Sequence, residues 1–113
     1  MMNELEFNQK VDQTLMAIEE AIEEVNENQD AEIDYDTVAG ILTLEFEDGS
    51  RIIINRQSAN SQLWVATKSG GYHFDYQEMR WIDNKNGQSL GELLSLNICQ
   101  QAQMPLTFNL SSL

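Results

Sequence analysis

The segment IEEAIEEVNENQDAEIDYD, residues Ile18–Asp36, changes its hydrophobic period partway along, and that change decides the fold. Before it, Phe7, Val11, Leu15, Ile18, Ile22 and Val25 recur at spacings of three and four, a single apolar stripe. Such a stripe predicts one long helix, over about residues 3–28. At about 100° per residue, Asp12, Glu19, Glu20, Glu23, Glu24 and Glu27 fall on the side opposite the stripe. From Glu32 the period becomes two. Glu32-Ile33-Asp34-Tyr35-Asp36 alternates acid with apolar, the pattern of a half-buried strand.

Working outward from this switch, GILTLEFEDGSRIIINR (residues 40–56) reads as a hairpin. Asp48-Gly49 suits a type I′ turn, whose central positions both need positive φ. A two-residue loop there pairs Phe46 with Arg51 and Leu44 with Ile53, so Leu42, Leu44, Phe46 and Ile53 are expected on one inner face. SQLWVATKSGGYHFDY (residues 61–76) reads as a second hairpin turning at Gly70-Gly71. It places Val65, Thr67, Phe74 and Tyr76 inward and Gln62, Trp64, Ala66, Lys68, His73 and Asp75 outward. Arg80 to Asp83 is a short strand, followed by the turn Asn84-Lys85-Asn86-Gly87. Ser89 caps a final helix to about Gln103, with Glu92 in capping-box position. Leu90, Leu93, Leu94, Ile98 and Ala102 form its stripe, and Pro105 ends it. The closing LTFNLSSL alternates Leu106, Phe108 and Leu110 and is expected to pack down.

Helix, hairpin-linked strands, helix: the simplest burial of both stripes lays the two helices on the same side of the sheet. The expectation is an α+β fold, a two-layer α-β sandwich with two helices on one face of a mainly antiparallel five- to six-stranded sheet. At 113 residues with 42% apolar content, one domain over residues 1–113 is expected. Its parts are a helix over 3–28, a sheet over 31–83, a helix over 89–103 and a tail over 104–113.

Net charge is −13, and twelve of the nineteen acids lie in the first 36 residues. Such a surface repels phosphate backbones and anionic lipid, so neither nucleic acid nor membrane is an expected partner. The single cysteine, Cys99, gives no internal disulfide. MMNELEFNQK has no signal-peptide pattern, and no apolar run approaches the roughly 20 residues of a membrane span. A cytoplasmic protein is expected.

Catalytic signals are missing. His73 is the one histidine and reads as a surface residue, while Cys99 falls in the periodicity of the last helix and reads as core. Nucleotide-binding glycine motifs and zinc spacings do not occur. A calcium loop from Asp30 fails, because its sixth position is Tyr35 where Gly is required and its twelfth is Ile41. The chain is not expected to be an enzyme.

The nine carboxylates in Ile18–Asp36 have no basic neighbour in that segment. Charge runs usually serve solubility. Here, however, Glu19/Glu23, Glu20/Glu24 and Glu23/Glu27 are like charges four apart, costing together on the order of 1 kcal/mol. Glu23, Glu24 and Glu27 also sit where the helix dipole disfavours negative charge. Selection for a cation or a cationic partner accounts for these costs. With oxygen donors alone, hard ions fit: Fe³⁺, Fe²⁺, Mn²⁺, Ca²⁺ or Mg²⁺. On a convex face the sites are expected to be shallow, several and weak. Trp64, expected on the outer sheet face, is either an interface anchor or a ring lying flat on its neighbours.

Together, IEEAIEE, the hairpin GILTLEFEDGSRIIINRQ, the run QLWVATKSGGYHFD and the closing helix resemble the bacterial branch of the frataxin family. The resemblance runs from about Glu6 to Met104. It implies a single frataxin-like domain that binds iron (Fe²⁺ or Fe³⁺) weakly and reversibly and acts in iron–sulfur cluster assembly. The implied role is an iron chaperone or donor, a regulator of cysteine desulfurase, or both, with the desulfurase and the iron–sulfur scaffold protein as partners. By position it implies metal ligands at Glu19, Glu20, Glu23, Glu24, Glu27, Asp30, Asp34 and Asp36. It implies partner contacts at Glu19, Glu23, Asn55, Gln62 and Trp64. Bacterial members can carry a histidine in the first turn of the first helix, where this chain has Asn8; Asn26 and Asn28 interrupt its acid run. The tail is implied to cover the groove between the helices. A monomer is expected, with iron-induced oligomers left open. The alternative is an acidic protein-interaction module without a physiological metal.

Overall fold

The structure, a computed structural model, describes residues 2–110 and 112–113. Asn3 opens helix α1, Glu4–Gln29, through a capping box with Glu6. Its buried stripe is the one the spacing predicts, with Phe7, Val11, Leu15, Ile18, Ile22 and Val25 all inside. Six strands follow: β1 Asp34–Val38, β2 Ile41–Glu45, β3 Arg51–Gln57, β4 Gln62–Thr67, β5 Gly70–Gln77 and β6 Arg80–Asp83. They form one antiparallel sheet in sequence order, a meander. Ser89 then caps α2, Leu90–Ala102, with the expected capping box to Glu92. Both helices pack on the same sheet face, so the α-β sandwich is as the sequence indicated.

Two register expectations are corrected. The β2–β3 loop holds three residues, because Phe46 N–H donates to Ser50 O and Gly49 N–H to Phe46 O. Gly49, at φ +85°, fills the left-handed position that such a loop needs. Leu44 therefore faces Ile52, not Ile53. One residue of slip exchanges faces: Ile52 and Ile54 are buried with Leu42 and Leu44, while Ile53 lies on the outer face. In the second hairpin the loop is Lys68-Ser69, and Gly70 pairs with Thr67. Val65 faces Tyr72 instead of Tyr76, an even displacement that keeps every side chain on its expected face.

The core is closed at one end by Trp81. Its Nε1–H donates to Thr14 Oγ1 at 2.9 Å, and Phe7 meets its ring edge-on, centroids 6.1 Å apart. At the other end, buried Gln101 of α2 ties both central loops to the helix. It accepts from Lys68 N–H and donates to Ser50 Oγ and Arg51 O. Cys99 departs from the core expectation; it is half-buried, with Sγ 3.4 Å from the backbone of Leu106. The tail lies along the groove between the helices, as the resemblance implied. The Gln29 side chain exchanges two hydrogen bonds with Thr107, and Leu110 is buried over Gly91.

Two predictions follow from these contacts. A Cβ at Gly91 would stand 2.1 Å from Leu110 O. Gly91→Ala should therefore lower stability by about 1–3 kcal/mol, read as a reduced urea midpoint. An unchanged midpoint would mean that the tail contributes no packing. At the β2–β3 loop, hydrogen bonds from the Ser50 hydroxyl and N–H, with Lys68 beside it, hold the Asp48 carboxyl at about 2. A depressed carboxylate stabilises fully above its unfolded pKa of about 3.9 and loses that contribution as pH falls through the folded value. The Tm difference between wild type and Asp48→Asn should be constant near neutrality and shrink between about pH 4 and 2. A pH-independent difference would remove the carboxylate charge from the account.

Candidate functional site

Helical geometry divides the acids of α1. Glu19 and Glu23 stand on the flank nearest β1, while Glu20, Glu24 and Glu27 point into solvent. The inner-flank pair is engaged by the strand: Thr37 Oγ1–H donates to Glu19 Oε2, and Tyr35 O–H donates to Glu23 Oε1. That hydrogen bond from Tyr35, reinforced by the Glu23 and Glu19 charges, raises the phenol above its usual pKa. Asn26, which reads in sequence only as a gap in the acid run, makes the junction. Its amide donates to Ile33 O at 2.7 Å and accepts from Ile33 N–H at 2.8 Å. Asp30 ends the helix in the left-handed region, at φ 54°, with its N–H on Val25 O.

The pleat sends Asp34 and Asp36 the other way. Tyr35 and Thr37 face α1, so their neighbours face the outer side of the sheet. The eight candidate metal ligands therefore do not form one row. Glu19 and Glu23 lie beneath the free edge of β1, Asp34 and Asp36 above it, and Glu20, Glu24, Glu27 and Asp30 along the helix outside. Among the described residues, none of the eight is ion-paired with Lys or Arg; the ion pairs are Arg51–Glu45, Arg56–Asp12 and Lys68–Asp48. Asp12, on the same helix side, is neutralised by Arg56, which also donates to Asn8 Oδ1 at 2.8 Å. After Asp12 the next acid of α1 is Glu19, which has no such ion pair among the described residues.

Two open depressions flank β1. One, of about 340 Å³, is lined by Asp34, Asp36, Thr43, Glu45 and Arg51. The other, of about 530 Å³, is lined by Asn26, Asp30, Glu32, Asp34, Phe46 and Glu47. Glu32, Glu45 and Glu47 were not singled out from sequence as ligands. Glu32 stood inside the alternating acid run; the other two needed the β1–β2 register, which pairs Glu45 with Asp34. Among the described residues, no group of three or more His, Cys, Asp or Glu side chains is gathered closely enough to hold a metal ion. The arrangement can offer one or two carboxylates at a time to a hydrated hard cation, or a broad anionic surface to a cationic one.

Asn55, Gln62 and Trp64 share the outer sheet face, away from the helices. Register sets Asn55 opposite Trp64 and Trp64 opposite His73. The indole lies flat on the imidazole, centroids 4.3 Å apart and planes 12° from parallel. Its Nε1–H donates to Gln62 Oε1, and Gln62 Nε2 donates to Asp75. The sheet-face residues are thus brought together, but Glu19 and Glu23 lie on the opposite side of the sheet from them. Among the described residues, no helix is long and apolar enough to cross a membrane.

The sequence matches the frataxin-like domain family over residues 1–104. It is 48% identical over 105 residues to the iron-sulfur cluster assembly protein CyaY of Vibrio cholerae, covering 93% of this chain and 97% of that one. A protein of the same name from Shewanella sp. (strain W3-18-1) is 42% identical, covering 95% and 98%. Among solved structures, the frataxin of Psychromonas ingrahamii superposes with a TM-score of 0.86 at 42% identity, covering 96% of this chain and 99% of that one. The trimeric frataxin of the yeast Saccharomyces cerevisiae, solved complexed with ferrous iron, gives 0.73 at 28% identity, covering 83% and 86%. With the helix–meander–helix order and the acidic α1–β1 edge already in place, these matches make the chain a member of the frataxin family.

Proposed function

We propose that this chain is a non-enzymatic, iron-binding modulator of iron–sulfur cluster assembly, serving as iron donor, as regulator of cysteine desulfurase, or as both. The observation that carries this is the α1–β1 edge, where Glu19, Glu20, Glu23, Glu24, Glu27, Asp30, Asp34 and Asp36 stand without a paired Lys or Arg among the described residues. Relatives bearing the name iron-sulfur cluster assembly protein CyaY, at 42–48% identity, support the process. A yeast family member complexed with ferrous iron supports the cargo. Oxygen donors suit Fe²⁺ and Fe³⁺ as hard ions, and open sites of one or two carboxylates suit loading that is weak and reversible.

Docking follows from the same charge. An anionic edge accelerates encounter with a basic patch on the desulfurase, and salt weakens that attraction. Asn55, Gln62 and Trp64 provide a separate, less charged surface for the same partner or for the scaffold protein.

The alternative role is an acidic protein-interaction module without a physiological metal. What favours it is the absence, among the described residues, of any gathered metal-ligand group. Anaerobic titration with Fe²⁺ in competition with Mg²⁺ separates the two roles, since charge alone distinguishes poorly between equal charges.

The ridge itself is tested by changing Glu19, Glu23 and Glu24 together to Lys. The expected outcome is loss of both iron binding and desulfurase binding with the circular-dichroism spectrum retained. Unchanged affinities in that folded triple variant would remove the ridge from the mechanism.

A further inference from the structure

Of the ion-paired cations among the described residues, Arg56 is the most enclosed. Its side chain is 22% exposed, against 60% for Arg51 and 66% for Lys68. From near the end of β3 its guanidinium reaches the first half of α1, where it donates to Asn8 Oδ1 at 2.8 Å and to Asp12 Oδ1. Asn8 and Asp12 are four residues apart, so one flank of the helix presents both oxygens to it.

The third nitrogen of the group, Nε, is buried and has no hydrogen-bond partner among the described residues. A buried donor left unpaired is unfavourable, so the pull of Asn8 and Asp12 sets the position of the guanidinium at the expense of Nε. The β1–β2 turn leaves room for it. Gly40 stands at φ +78°, and a Cβ there would lie 2.9 Å from Nε. The Arg56 N–H also donates to Gly40 O, so α1, β3 and the turn close round a single charge.

A carboxylate and a carboxamide oxygen one helical turn apart are donors of the type that a hydrated hard cation takes. Here a charge of the chain's own already holds both. A guanidinium does this better than an ammonium, because its planar fork bonds two acceptors at once. Lys10 of α1 is engaged elsewhere, over the Tyr76 ring at 5.8 Å from the centroid. Asp12 and Glu19 are seven residues apart, about 10 Å along the helix, which exceeds the screening length of about 8 Å at physiological ionic strength. Arg56 therefore neutralises Asp12 and leaves the field of Glu19 nearly unchanged.

We infer that Arg56 is a specificity-determining residue for metal loading: its guanidinium fills the cation position at Asn8 and Asp12, closing that stretch of α1 to iron and leaving the acids from Glu19 onward open. This rests on the iron-binding role proposed above and specifies which part of the helix the metal is denied.

Mn²⁺ serves as the probe, a hard divalent ion whose unpaired electrons speed the NMR relaxation of backbone amides steeply with proximity. In wild type the relaxation profile should peak within Glu19–Asp36 and fall steadily toward Asn8. Arg56→Gln should lower the urea midpoint, keep the dispersed amide spectrum and the peak within Glu19–Asp36, and add a second peak at Asn8–Asp12. Affinity at that second position should rise at least tenfold over wild type, roughly what removing one charge a few ångström away is worth at a partly exposed site. A folded Arg56→Gln without the second peak overturns the inference and leaves Arg56 a structural clamp. Should Arg56→Gln fail to fold, Asn8→Asp keeps the guanidinium and gives it a second carboxylate, and should still show no peak at that position. A peak there in Asn8→Asp, or in wild type, overturns the inference equally. Absence of any wild-type peak within Glu19–Asp36, with no heat of Fe²⁺ binding, overturns the iron-binding role and the part of Arg56 with it.

Discussion

The Asn26 amide, closed in both directions on the backbone of Ile33, is the contact on which the rest of the acidic edge depends. Within seven residues the chain must leave a helix, reverse direction and enter a strand that lies back along that helix. Asp30 and Glu32 accept left-handed backbone to do so. The clamp, together with buried Ala31 and Ile33, fixes which face of β1 meets α1. With it, Tyr35 and Thr37 are delivered to Glu23 and Glu19, and Asp34 and Asp36 are committed to the opposite side. A residue that interrupts the acid run in sequence is therefore the one that assembles it in space.

The same junction answers part of the electrostatic difficulty. Glu19 and Glu23 repel each other across one helical turn at a cost of about 0.2–0.5 kcal/mol. Each receives a hydroxyl from β1, so strand docking stabilises the ionised pair that helix formation opposes. Glu20, Glu24 and Glu27 have no such partner among the described hydrogen bonds. The ridge thus contains two kinds of carboxylate: one oriented by a hydroxyl of β1, the other exposed to solvent without a hydrogen-bond partner among the described residues. Only the first kind carries geometry that a metal or a guanidinium can meet repeatedly in the same place.

How much of this could be read from sequence depended on the reach of each contact. Both helices, the Ser89–Glu92 capping box and both buried stripes follow from spacing within a few turns. The six strands and the two-layer arrangement follow from alternation and turn residues. Register did not, because Asp48-Gly49 fits either a two-residue loop or a three-residue loop with Gly49 left-handed. Only the packing of Ile52 and Ile54 against the helices decides between them. Of the site, the acids of α1 and the outward placement of Trp64 were legible. The division of the ridge by the pleat, the part played by Asn26 and the reach of Arg56 to Asn8 and Asp12 were not. Each needs two segments distant in sequence to be brought side by side.

The pleat also gives the acids of β1 a role that requires no ligand. β1 is an edge strand with one neighbour, and an open edge invites pairing with a second chain. A second copy laid against it would bring Asp34 and Asp36 of both chains together on one face and Glu19 and Glu23 together on the other, so self-pairing is opposed from both sides. A segment bearing Lys or Arg meets the reverse condition on the same two sides. One distribution of charge therefore opposes pairing with a second copy along this edge and is complementary to a segment bearing Lys or Arg. That discrimination, more than solubility, distinguishes acids placed above and below a strand edge from acids scattered over a helix.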